Sequence, residues 1–183
     1  DLALAPALRA GLDALDYTTL TPIQAQALPA ILQGRDVIAQ APTGSGKTAA
    51  FGLGLLHRLD PALIRAQALV LCPTRELADQ VGKQLRKLAT GIANLKLSVL
   101  CGGIPLAPQL ASLAHAPQVV VGTPGRVLEL VQKDALDLRG GGNRDELAAA
   151  GLADKVRVDL WPGRDLQGGR PGPGQALPAS AGV

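Results

Sequence analysis

The sequence predicts an α/β fold, an open parallel sheet flanked by helices, and three observations carry that expectation. Short apolar runs at Asp36–Gln40, Ala68–Cys72, Lys96–Leu100 and Gln118–Val121 alternate with segments of helical periodicity. Strands that alternate with helices argue for parallel pairing through right-handed crossovers. Ala68-Leu69-Val70-Leu71-Cys72 is apolar throughout, as a central strand covered on both faces should be. The runs end in loops of Gly, Pro, Thr or Ser that open into the next helix.

The elements follow in order. Leu4, Leu8, Leu12 and Leu15 recur at helical spacing, and Ile23, Ala27, Leu28, Ile31 and Leu32 repeat the pattern, so residues 1–33 read as helices. Thr21 suits an N-cap and Pro22 a first helical position, where a missing N–H costs nothing. Asp36–Gln40 reads as a strand and Ala49–Leu56 as a helix. A second helix follows Pro73-Thr74-Arg75-Glu76 through about Ala89, a weaker one lies near Pro108–Ala114, and another runs from Thr123-Pro124-Gly125-Arg126 to about Lys133.

Between the strand at Asp36–Gln40 and its helix lies Ala41-Pro42-Thr43-Gly44-Ser45-Gly46-Lys47-Thr48. A strand, a glycine-bearing loop and a helix headed by Gly-Lys-Thr make a phosphate cradle. Small residues let successive backbone N–H groups turn toward one anion, and the helix N-terminus adds its positive dipole end. Lys47 would set an ammonium between the outer phosphates, and Thr48 would offer its hydroxyl to Mg²⁺. Ala41 stands where the general pattern has Gly. The competing account makes Gly44-Ser45-Gly46 a flexible connector and Lys47 a solvated charge.

In open α/β sheets, ligands bind beyond the carboxyl ends of the strands. Gly44–Thr48, Pro73–Glu76, Gly102-Gly103 and Thr123–Arg126 all fall at that edge, which gathers the phosphate loop with Arg75 and Arg126.

Composition bounds the rest. The chain has 183 residues, suiting one domain or one domain with a tail. Hydrophobic residues make up 47% but aromatics only 2%, so the core must be aliphatic, and a broad aromatic platform for base stacking is excluded. A net charge of +3 permits a polyanionic partner without specifying one. Cys72 and Cys101 each end an apolar run and read as small buried thiols. Two Cys and two His are too few for a metal cluster, and the cysteine usage fits a reducing cytoplasm. No apolar run approaches the roughly 20 residues of a membrane span, and no signal pattern opens the chain. A cytoplasmic location without membrane contact is expected.

From about Arg139 the character changes. Ten of the 22 glycines fall in residues 139–183, joined by Pro162, Pro171, Pro173 and Pro178. Residues 1–138 are therefore read as one domain and residues 139–183 as a Gly/Pro-rich tail, mostly unable to bury enough apolar surface to order itself. Within the tail only Val156-Arg157-Val158-Asp159-Leu160 resembles a strand. A shifted frame in a GC-rich gene would write such a tail, and a genuine flexible linker is the alternative.

Thr21-Pro22-Ile23-Gln24, Ala41–Thr48, Pro73-Thr74-Arg75-Glu76-Leu77-Ala78, Gly102-Gly103 and Thr123-Pro124-Gly125-Arg126, in this order and spacing, resemble the first half of a DEAD-box RNA helicase. The wording of residues 46–80 is similar to the bacterial DbpA type. The resemblance covers about residues 2–139 and implies an N-terminal RecA-like domain, a P-loop NTPase unit that binds ATP with Mg²⁺ and one strand of RNA. Gln24 would then read the adenine edge, its amide both donating and accepting, and Tyr17 would lie against the adenine ring. Thr43, Gly44, Ser45, Gly46, Lys47 and Thr48 would hold the phosphates and the metal. Pro73, Thr74, Arg75, Gly102, Gly103, Thr123, Pro124, Gly125 and Arg126 would meet the RNA sugar-phosphate backbone. Ribosomal RNA or ribosome precursors are implied as targets, with a second RecA-like domain needed for activity. Without the family, Gln24 reads as an exposed helical residue and Tyr17 as a partly buried anchor. Arg75 then pairs with Glu76 or Asp79, and Gly102-Gly103 is only a turn.

The departures set further expectations. Leu20 replaces the family's usual proline, and the aromatic residue that normally precedes the adenine motif would lie before Asp1. No Asp-Glu-Ala-Asp occurs, and Asp145-Glu146 near the expected place has no strand before it. The chain is thus expected to be truncated before its hydrolytic acids, its sheet incomplete at the C-terminal end, with Asp145 and Glu146 as weak substitutes. The rival functions are a non-catalytic nucleotide- or RNA-binding module and a different P-loop enzyme such as a small-molecule kinase. RNA-stimulated ATP turnover separates the helicase from the module. A kinase would not need both Pro73–Ala78 and Thr123–Arg126.

Overall fold

The computed structural model describes residues 4–138 and 157–160. Its centre is a sheet built from β1 (Ala68–Leu71), β2 (Leu97–Leu100), β3 (Val119–Gly122) and β4 (Arg157–Leu160), in the order β2-β3-β1-β4. The first three are parallel, Ala68 and Leu97 both standing level with Val119. β4 runs antiparallel along the far edge of β1.

Alternation along the strands sorts the core into two layers. Ala68, Val70, Cys72, Val119 and Val121 face one side, where they pack with Leu8, Leu28, Leu53, Leu85 and Leu88. Those leucines come from α1 (Pro6–Ala14), α2 (Pro22–Leu32), α3 (Lys47–His57) and α4 (Arg75–Leu88). Leu69, Leu71, Leu100 and Val120 face the other side, against Val127, Leu130 and Val131 of α6 (Pro124–Gln132), with Leu106 and Leu113 of α5 (Leu106–Leu113) at the margin. Fully burying a Val or Leu stabilises by roughly 1.5–3 kcal/mol. The three-valine run in β3 therefore anchors both layers at once.

The helices start where their sequences say. The Thr21 N–H donates to Gln24 Oε1 (3.0 Å), and Pro22 takes the first helical position of α2. Thr74 caps α4, its hydroxyl accepting from the Leu77 N–H at 3.2 Å. At the other end of the sheet, two buried glutamines tie the loops that enter the strands. Gln67 accepts from the Asp60 N–H and donates to the carbonyls of Asp60 and Leu63 (2.8–2.9 Å). Gln118 accepts from the Lys96 N–H (2.9 Å) and donates to the Asn94 and Pro61 carbonyls (3.3 and 3.5 Å).

One expected strand is absent. Asp36–Gln40 forms no strand, and Ile38 is 69% exposed. A strand exists only when a neighbour takes its hydrogen bonds. Among the described residues β4 occupies the open edge of β1, and nothing pairs with Asp36–Gln40. In the tail, residues 157–160 do form the expected strand. The expectation that the rest of residues 139–183 does not order, like Asp145 and Glu146, lies outside the described residues. No helix among the described residues is long and apolar enough to cross a membrane.

Candidate functional site

The phosphate loop hangs between an unpaired segment and α3. Gly44 and Gly46 both take positive φ, 83° and 92°, and Gly46 is the N-cap of α3. A side chain at Gly46 is excluded twice over. Its φ is left-handed, and a Cβ there would stand 2.6 Å from Gln24 Nε2 and 2.9 Å from Thr21 Oγ1. Gln24 is thereby brought to the loop: it is 3% exposed and its Nε2 donates to the Gly46 carbonyl at 3.2 Å. The exposed-residue account of Gln24 is therefore overturned, because both ends of its amide are engaged inside the fold.

The cradle is closed by its own lysine. Lys47 Nζ donates to the Ala41 carbonyl and, at 2.7 Å, to the Pro42 carbonyl. Lys47 is half-buried, and these contacts hold its ammonium at the loop. Ser45 Oγ is buried without a partner, and Thr21 Oγ1, beside it across Gly46, is likewise buried and unpartnered. Two orphaned hydroxyls around a helix N-terminus fit an anion that is not itself part of the chain. Thr43 and Thr48 flank them, on the loop and on the first turn of α3. Tyr17 is 39% exposed, and its hydroxyl accepts from Gln84 Nε2 of α4 at 2.9 Å.

A second cluster collects around the turn after β2. The Gly102 N–H donates to Thr123 Oγ1 (3.2 Å), joining that turn to the N-cap of α6. Arg75 Nη1 donates to the Gly103 carbonyl at 3.4 Å, so its partner is this turn. Gly103 has φ +72°, and a Cβ there would meet the Arg75 guanidinium at 2.7 Å. Arg126, nearly buried, donates from Nη2 to the Ile104 carbonyl (3.1 Å). Its Nε lies 3.1 Å from Glu129 Oε2, an ion pair without hydrogen-bond alignment, and its Nη1 has no partner. Pro73 and Thr74 lead into α4, and Pro124 and Gly125 open α6 at the same edge; at Gly102 and Gly125 the Cβ side is open space.

The cysteines beneath this cluster are inert. Burial pushes the Cys72 thiol up to about 12, with Cys101 adding to it. Burial also raises Cys101, helped by Asp79 and opposed by a hydrogen bond from the Thr123 backbone and by Arg75 and Arg126. Thiols held protonated are poor nucleophiles and poor metal ligands. They follow β1 and β2, which β3 separates, so their Cα atoms stand about two strand spacings (~10 Å) apart, beyond disulfide reach. No group of His, Cys, Asp and Glu among the described residues could hold a metal ion.

Comparison with known proteins fits this arrangement. The family described as DEAD/DEAH box helicase matches residues 21–141. The chain belongs to that family. It is similar to the ATP-dependent RNA helicase DbpA of Escherichia coli (strain K12), 53% identical over 158 residues, 84% of this chain and 35% of the relative. The ATP-dependent RNA helicase DeaD of the same organism is 46% identical over 138 residues, 75% of this chain and 22% of that protein. The chain thus spans about a third or less of these relatives. A crystal structure of a DEAD box protein from the hyperthermophile Methanococcus jannaschii superposes with TM-score 0.70 at 35% identity, over 76% of this chain and 38% of that one. Saccharomyces cerevisiae Dbp5 bound to RNA and ADP BeF3 does so with TM-score 0.64 at 33% identity, over 74% and 34%. The fold is that of the RecA-like domains of DEAD-box helicases.

Sequence patterns did not disclose the roles of four amides: Gln84 beside Tyr17, Gln109 under the glycine turn, and the loop-tying Gln67 and Gln118. Gln109 left one signal, since it shares a helical face with Leu106 and Leu113.

Proposed function

We propose that this chain is the ATP- and RNA-binding half of a DEAD-box RNA helicase that couples ATP hydrolysis to local separation of RNA strands. What carries the proposal is the presence, in one domain, of a phosphate loop with two orphaned hydroxyls and a turn gripped by Arg75, Thr123 and Arg126. In this account Ser45, Gly46, Lys47 and Thr48 bind the phosphates, with Thr43 and Gly44 shaping the loop, while Gln24 reads the adenine edge and Tyr17 borders the ring. The Thr48 hydroxyl would hold Mg²⁺, which neutralises phosphate charge when bound. Phosphate entry exchanges the contacts of Lys47 with the Ala41 and Pro42 carbonyls for contacts with the outer phosphates. Pro73, Thr74, Arg75, Gly102, Gly103, Thr123, Pro124, Gly125 and Arg126 meet the RNA backbone, with structured RNA such as ribosomal RNA as the substrate class and a second RecA-like domain completing the cleft. The domain ends near residue 138, and the setting is cytoplasmic.

Calorimetric titration of the 183-residue chain with ATP and GTP tests it. ATP should bind more tightly than GTP, and Lys47→Ala should weaken ATP by about a hundredfold, as for loss of a buried charge contact. Turnover by this chain alone should be slow, since its sequence contains no Asp-Glu-Ala-Asp. Equal affinity for both nucleotides would remove the adenine assignment, and an unaffected Lys47→Ala would remove the cradle.

A further inference from the structure

The turn from Cys101 to Pro105 is held from four directions, and one of the four holders comes from α5 rather than from the segments that carry the arginines and Thr123. Gln109, on the first turn of α5, is 5% exposed. Its Nε2 donates to the Cys101 carbonyl at 3.1 Å and to the Pro105 carbonyl at 3.3 Å, spanning the base of the turn. Above it, Thr123 holds the Gly102 N–H, Arg75 the Gly103 carbonyl and Arg126 the Ile104 carbonyl. The amide is fixed in this sense, because reversing it would face Oε1 against two carbonyl oxygens. Its Oε1 is buried without a partner, so the amide sits here at a cost that its two donated bonds must offset.

We propose that Gln109 is a positioning residue for RNA: it fixes the Cys101–Pro105 turn so that Gly102 and Gly103 present an open backbone to a sugar-phosphate strand. The inference rests on the proposed RNA reading of that edge. The two arginines bond to the carbonyls of Gly103 and Ile104 farther along the same turn, and a strand of RNA competes for their guanidiniums. Gln109 grips from the buried side, where RNA does not reach, and keeps the turn closed while the arginines exchange partners. The Gly102 Cβ side is open, which leaves room for a phosphate or ribose to approach the main chain. Neither bond of Gln109 touches the nucleotide loop, so the effect is confined to RNA.

The test uses the full chain, a fluorescent oligouridylate, ATP calorimetry and amide hydrogen exchange. Gln109→Met keeps the shape and removes both donated bonds. RNA affinity should fall about tenfold, the size expected for two neutral hydrogen bonds. ATP affinity and melting temperature should hold, and exchange should quicken at Gly102–Ile104 alone. Gln109→Glu, with an acceptor in place of the donor, should lose at least as much and serves if the Met variant does not fold. Unchanged RNA affinity in a folded variant overturns the inference, as does a parallel loss of RNA binding, ATP binding and melting temperature, which marks a general packing role. A parent chain with no affinity for oligouridylate overturns the RNA reading itself, and that outcome is seen before any variant is made.

Discussion

The two ends of the sheet solve the same problem in opposite ways. At the end where the chain enters the strands, Gln67 and Gln118 reach into the loops, and each amide uses both its oxygen and its nitrogen. At the end where the chain leaves them, Ser45, Thr21, Gln109 and Arg126 keep buried polar atoms without partners. Every such orphan among the described residues belongs to this second end. A buried unsatisfied group costs about 1–3 kcal/mol. The entering end is therefore built for stability, and the leaving end carries unmet hydrogen-bonding capacity that phosphates and a sugar-phosphate backbone can take up.

The largest effect should come from breaking the satisfied end. Gln118→Leu strands the Lys96 N–H and the Asn94 and Pro61 carbonyls together. We expect a loss of about 3 kcal/mol in denaturant unfolding, with ATP and RNA affinities of the folded fraction unchanged. A loss below about 1 kcal/mol would show that this end is not the stabilising one.

Arg126→Ala strikes the other end and should act in the opposite sense. It removes a nearly buried guanidinium that already lacks a partner at Nη1, so stability should change by less than about 1 kcal/mol. RNA binding should weaken about fivefold, and the log–log salt slope should flatten by roughly 0.7, one phosphate contact on a single strand. Stability loss on the scale of Gln118→Leu, with an unaltered salt slope, would make Arg126 a structural residue and erase the contrast between the ends.

The same contrast explains what the sequence disclosed. β1 and β3 were visible because Ala68–Cys72 and Gln118–Val121 are apolar runs whose burial on two faces leaves few other roles. The glycine loop, the Thr21 and Thr74 caps and the arginines at the leaving end were visible because each is a local pattern. Asp36–Gln40 misled because Val37-Ile38-Ala39 has strand-like residues, yet strand formation depends on a partner elsewhere in the chain, which a local pattern does not report. The glutamines were hidden for a related reason. An amide looks polar and therefore exposed, and only the folded positions of Cys101, Pro105, Asn94 and Pro61 show what Gln109 and Gln118 are for.

The smallest effect concerns the backbone and compares Asn94, at the entering end, with Asp16, at the close of α1. Asp16, beside Tyr17, has φ +57°, and Asn94, whose carbonyl Gln118 holds, has φ +59°. Asp16 closes α1: its N–H donates to the Asp13 carbonyl and the next N–H, from Tyr17, donates to Leu12, the arrangement in which glycine is usual. A left-handed conformation costs a residue with a Cβ, and asparagine bears it better than most. Asp16→Gly should therefore raise stability by about 0.5–1 kcal/mol, while Asn94→Gly should gain less, because glycine's larger unfolded-state entropy offsets a smaller strain. Paired thermal unfolding of the two variants measures the difference. A gain at Asn94 equal to or above that at Asp16 would show that asparagine bears the left-handed conformation no better than aspartate, and that the strain at the entering end is the larger of the two.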